Sequence, residues 1–129
     1  MAEKLKIRIG EMTITPVFDM PAWKALEDKY DCTINDVIDQ LDWKKRGWID
    51  MTIGVMTILC NRALELAGEE KRFDEETMWR MIPAGAAKPA CLVCVTNIGI
   101  AMRTTHVSED DGPVDLVLRE IEKKEEPAE

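Results

Sequence analysis

Histidine and tyrosine each occur once in this chain of 129 residues, phenylalanine twice, and aromatic residues together make up only 5%. A single histidine leaves no multi-histidine metal cluster to build, and it narrows the options for general acid–base chemistry. The chain also lacks a Walker loop, a GxGxxG turn, a GxSxG elbow and an HExxH helix, so the common nucleotide, hydrolase and metalloprotease signatures are missing. Lys and Arg number 17 against 25 Asp and Glu, a net charge of −8 that disfavours nucleic-acid binding, which draws on cations to displace phosphate counterions. Long apolar runs are absent as well. The two richest stretches, Met51–Cys60 and Ala90–Met102, are short and broken by Thr, Gly and Asn, so no membrane span is expected. The start, Met1-Ala2-Glu3-Lys4, does not read as a signal peptide, and four cysteines without one imply reduced thiols in a cytoplasm.

The size suits one domain with a single core. Four of the seven aromatics are Trp and eight residues are Met, types that serve cores and interfaces alike. The charge is uneven: between Glu109 and Glu129 nine acids against three bases leave −6, so residues 1–108 carry only −2. The expected organisation is a single helical domain over 1–108 and an acidic C-terminal segment over 109–129. The one basic run, Lys44-Lys45-Arg46, reads as a solvated loop.

The pattern predicts a mainly α protein of about five helices preceded by an N-terminal β-hairpin over about 4–16. Leu5, Ile7 and Ile9 alternate with Lys4, Lys6 and Arg8, and Gly10-Glu11 suits a type II′ turn before Met12–Thr15. Asp19 caps a helix whose Trp23, Leu26 and Tyr30 share a face. Thr33 and Asp36 form a capping box for a second helix carrying Ile34, Val37, Ile38 and Leu41. After a connection over Trp43–Gly47, the longest helix spans about Trp48–Ala67 and stops at Gly68. Asp74 caps a fourth helix that Pro83 ends; Pro83–Ala87 reads as a small-residue linker. Pro89 opens a fifth helix running to about Arg103. Beyond the break Thr104–Gly112, Val114, Val117, Leu118 and Ile121 fall on one helical face, a short amphipathic segment.

Chemistry is sparse. Cys91-Leu92-Val93-Cys94 has the spacing of a zinc or redox pair, but a zinc site needs further ligands from Cys32, Cys60 or His106, none of them in a paired knuckle. On a helix both cysteines share the face of Ile98 and Met102, which favours packing. His106 lies among Thr104, Thr105 and Ser108 without a spacing that marks a nucleophile and its base. No cofactor, no metal and no catalytic residue is expected. Ile53, Leu64, Val93 and Ile100 fall off the main helical stripes. They imply either helices buried on two sides or an apolar face for a partner, and they are the candidate partner-binding residues together with Val114, Val117, Leu118 and Ile121.

The order of these features resembles the tail assembly chaperones of long-tailed bacteriophages, including those of prophages and gene transfer agents. The similarity covers about residues 4–103 and rests on a pattern of sizes and periods. It runs from the hairpin to Phe18-Asp19 and the helix Trp23–Tyr30, then to Cys32-Thr33-Ile34-Asn35-Asp36-Val37-Ile38, a long helix, and the acidic start Phe73-Asp74-Glu75-Glu76-Thr77-Met78. The resemblance implies a non-catalytic protein of the bacterial host cytoplasm, absent from the mature virion. Its partners would be the tape measure protein and the tail tube protein, with self-association to a homo-oligomer permitted and neither nucleic acid nor membrane involved. Two other expectations stay open: another morphogenesis protein such as a head–tail connector, and an acidic regulatory binding module.

Overall fold

The computed structural model describes residues 4–103 of the chain. Two short antiparallel strands, β1 (Ile7–Ile9) and β2 (Met12–Ile14), pair Ile7 with Ile14 and Ile9 with Met12. Gly10 takes φ +61 while Glu11 stays at negative φ, the sign pattern that a type II′ hairpin turn requires. Five helices follow: α1 (Met20–Tyr30), α2 (Ile34–Gln40), α3 (Trp48–Leu66), α4 (Glu75–Met81) and α5 (Ala87–Met102). The protein is mainly helical with an N-terminal hairpin, as the periodicity predicts.

Local chemistry sets the boundaries. The Asp19 carboxylate accepts from Ala22 N at 3.2 Å at the start of α1, and Asp74 accepts from Thr77 N at 2.7 Å at the start of α4. The Asp74 carboxyl is held below its usual range by the Thr77 backbone N–H and then by the Thr77 side chain. Thr33 and Asp36 bond reciprocally as a capping box at α2. At the end of α3, Gly68 sits at φ +77. Its N–H bonds to Glu65 O, and Glu69 N bonds to Leu64 O, the paired closure of a Schellman motif. Glu27 joins α1 to α2, because one carboxylate oxygen accepts from the Trp23 indole at 2.8 Å and from Ile34 N at 2.9 Å.

The centre of the fold is α3, which packs against α1, α2, α4, α5 and β2. From Thr52 to Cys60 every residue but the half-buried Ile58 is buried, so this helix is covered on nearly all sides along its middle. Closest approach is at Gly54, where an added Cβ would lie 1.7 Å from the Tyr30 hydroxyl; α1 reaches α3 only because that position has no side chain.

Two expectations change. The segment read as a linker, Pro83–Ala87, folds instead into a 3₁₀ turn at Ala84–Ala86 that runs straight into α5. Pro89 is then the third residue of α5, still within the turn where its missing N–H costs nothing. As a result Ala84–Met102 forms 19 continuous helical residues, long and apolar enough to cross a membrane by length and composition. In this fold the helix lies on α3, with Ala90, Cys91, Cys94 and Ile98 buried.

Candidate functional site

The residues offered for partner binding have varied fates. Ile53, Leu64 and Val93 belong to the chain's own core, at 4, 3 and 8% exposure. For Ile53 and Leu64 the physical reason is the central position of α3, whose neighbours on several sides convert off-stripe residues into inward-facing ones; Val93 is buried on α5, which packs on α3. Of the two readings left open by the periodicity, burial on two sides is the one these three residues follow. Ile100 is half-buried. Val114, Val117, Leu118, Ile121 and His106 lie outside the described residues.

The CxxC pair is also inside. Cys91 and Cys94 are buried, and Cys60 from α3 is buried with them. Loss of hydration pushes the Cys60 thiol from 9.0 up to about 12, and it drives Cys94 well above the ordinary thiol range, with Cys60 and Cys91 adding to the effect. A thiol held protonated in this way is a weak nucleophile and a poor metal ligand. Among the described residues no group of three or more His, Cys, Asp or Glu is placed to hold a metal ion.

Large apolar side chains emerge at a different place. The connection between α2 and α3 is a pair of tight turns: the Asp42 carboxylate accepts from Lys44 N at 3.0 Å, and Asp42 O accepts from Lys45 N at 2.9 Å. Gly47, at φ +93, then turns the chain into α3. This geometry holds Trp43, Lys44, Lys45 and Arg46 outward. From α4, Met78 points into the core and its neighbour Trp79 points out. Between them runs an open groove of about 480 Å³ lined by Trp43, Trp48, Ile49 and Trp79, with Lys44, Lys45, Arg46 and Asp50 at its edges. Trp43 is 49% exposed, Trp79 45% and Ile49 41%.

Trp43 also borders a second open groove, of about 420 Å³, where Ile38, Leu41, Leu92 and Val95 meet Asp39, Asp42 and Lys45. The two grooves therefore share one apolar wall. Lys88, from the first turn of α5, places its ammonium 4.9 Å from the centre of the Trp43 ring, a cation–π contact. Among the described residues, none of Lys44, Lys45, Arg46 and Lys88 makes an ion pair. Arg62 on α3 differs: it donates to Asp19 at 2.7 Å and to Glu65 at 2.9 Å.

Single-helix periodicity did not pick out this face. Trp79 falls within the fourth helix and Trp43 in the connection, and the period of a single helix does not bring the two together. The signal that was present is the clustering of Trp43 and Trp48 around the basic run Lys44-Lys45-Arg46. Comparison with protein-family models, curated proteins and solved structures finds no match to the chain.

Proposed function

We propose that the protein is a non-catalytic assembly chaperone that binds an apolar helical segment of a client, in the manner of the phage tail assembly chaperones its sequence pattern resembles. The client would be the tape measure protein, with tail tube subunits recruited to the complex in the host cytoplasm. The observation that supports this reading is the Trp43–Trp79 groove. It carries half-exposed indoles over a wall of apolar side chains, and a rim of cations without partners among the described residues. Exposed aromatic and aliphatic side chains of this kind, rimmed by charge, suit an amphipathic helix whose apolar face fills the groove. The rim favours a client whose helix carries acidic flanks.

The test is co-expression with the tape measure protein that this reading expects to be encoded beside the gene. The client should become soluble and co-purify with the wild-type chain, and a Trp43→Ser/Trp79→Ser variant should lose both effects. Equal client solubility with wild type, variant and empty vector would overturn the reading. A head–tail connector would instead be found in purified virions, where this protein should be missing.

A further inference from the structure

The same groove faces a segment of the chain's own sequence with matching chemistry. We propose that Pro113–Lys124 docks in cis on the Trp43–Trp79 groove, with Val114, Val117, Leu118 and Ile121 against the indoles and the acidic residues of the tail against the cationic rim.

Charge is the first support. The body of the chain, residues 1–108, has a net charge of −2, yet the groove is edged by Lys44, Lys45 and Arg46 against the single acid Asp50, with Lys88 on the Trp43 ring. An unpaired cationic rim on an otherwise acidic protein attracts an acidic segment, and residues 109–129 carry −6. Apolar pattern is the second support: four aliphatic residues at i, i+3, i+4 and i+7 make one apolar stripe that can meet the Trp43, Trp48, Ile49 and Trp79 lining of the groove.

Reach is the third. Helix α5 runs from the groove, where Lys88 touches Trp43, to its end at Met102. Fourteen residues of helical rise separate those points, about 21 Å. The nine residues Thr104–Gly112 span roughly 30 Å when extended, enough to return along α5 and deliver Pro113 to the groove. Tethering at that distance gives the tail an effective concentration on the order of mM, so a weak contact suffices for occupancy.

The inference needs the groove and not the identity of any client. A failed co-expression assay leaves it standing, and its own failure leaves the client reading standing. Full-length protein labelled with ¹⁵N resolves the four indole N–H groups. A Val117→Asp/Leu118→Asp variant should move the Trp43 and Trp79 resonances and leave Trp23, which is bonded to Glu27, in place. In a Lys44→Glu/Lys45→Glu/Arg46→Glu background the same tail substitutions should move neither, because the contact is already lost. Unmoved Trp43 and Trp79 resonances in the first experiment would overturn the proposal, as would equal displacement of all four indoles. Displacements that vanish on dilution would assign the groove to the tail of a second copy, and they would overturn docking in cis.

Discussion

The two ends of α5 solve the same problem in opposite ways. Near its C-terminal end, Asn97 is fully buried and its amide makes three hydrogen bonds. Its Oδ1 accepts from Leu5 N at 2.7 Å, and its Nδ2 donates to Leu5 O at 2.9 Å and to Pro16 O at 3.2 Å. The side chain stands in for a neighbouring strand and holds the segments that lead into β1 and out of β2. Near the N-terminal end, Lys88 and Leu92 face open grooves with unpaired cations and half-exposed indoles. Where Asn97 is buried, the fold satisfies its amide and closes. Where apolar groups stay exposed, it leaves room for another segment.

The closed end should be the more costly to disturb. Asn97→Leu removes three hydrogen bonds and leaves the partly buried Leu5 N and Leu5 O and the buried Pro16 O without that partner, which should cost about 3 kcal/mol. Urea denaturation would show it as a lower midpoint, and the amides of the hairpin should exchange faster. An unchanged midpoint would mean that the hairpin is held by its apolar contacts alone. Gly54→Ala should come next, at about 2 kcal/mol, because the new methyl displaces the Tyr30 ring from α3. A paired Tyr30→Phe substitution removes the clashing hydroxyl and should recover part of that loss.

A pH series sharpens the contrast further. The Tyr30 hydroxyl is pushed from 10.0 up to about 12, first by burial and then by Glu75 and Asp50, and the Cys60 thiol rises from 9.0 to about 12 by burial. Both folded-state values lie above the unfolded ones, so the fold favours the neutral forms. Their contribution is complete below pH 9 and is lost as pH rises toward 12. Circular dichroism with urea at pH 8, 10 and 11.5 should show progressive loss of stability. Tyr30→Phe should lose less between pH 10 and 11.5 than wild type, and a parallel decline would remove Tyr30 as a source.

The closed end was only partly legible in the sequence. Caps and stops act within a few residues, so Asp19, Thr33, Asp36, Gly68 and Asp74 announce their helices directly. Core stripes are nearly as plain, as with Val55 and Leu59 on α3. Asn97, by contrast, looks like a polar interruption of an apolar run; its value comes from Leu5 and Pro16, 92 and 81 residues away in sequence. Asn61 holds Phe73 by the same two-bond pairing, and again its partner is set by tertiary structure. Ile53, Leu64 and Val93 show the complementary limit. Periodicity reveals that a helix has apolar residues on two sides, but not how many neighbours come to cover them.

The open end should be the least sensitive in stability and the most sensitive in binding. Trp43 is half-exposed and its ring lies under the Lys88 ammonium, while Trp79 borders the groove from α4. Replacing both with Ser removes surface that the fold does not need, so the urea midpoint should correspond to a change within about 1 kcal/mol. The same variant should no longer solubilise a client. Those two results together would separate a surface kept for a partner from one kept for stability. A loss of several kcal/mol would make the indoles structural, and the difference between the two ends of α5 would then be one of degree.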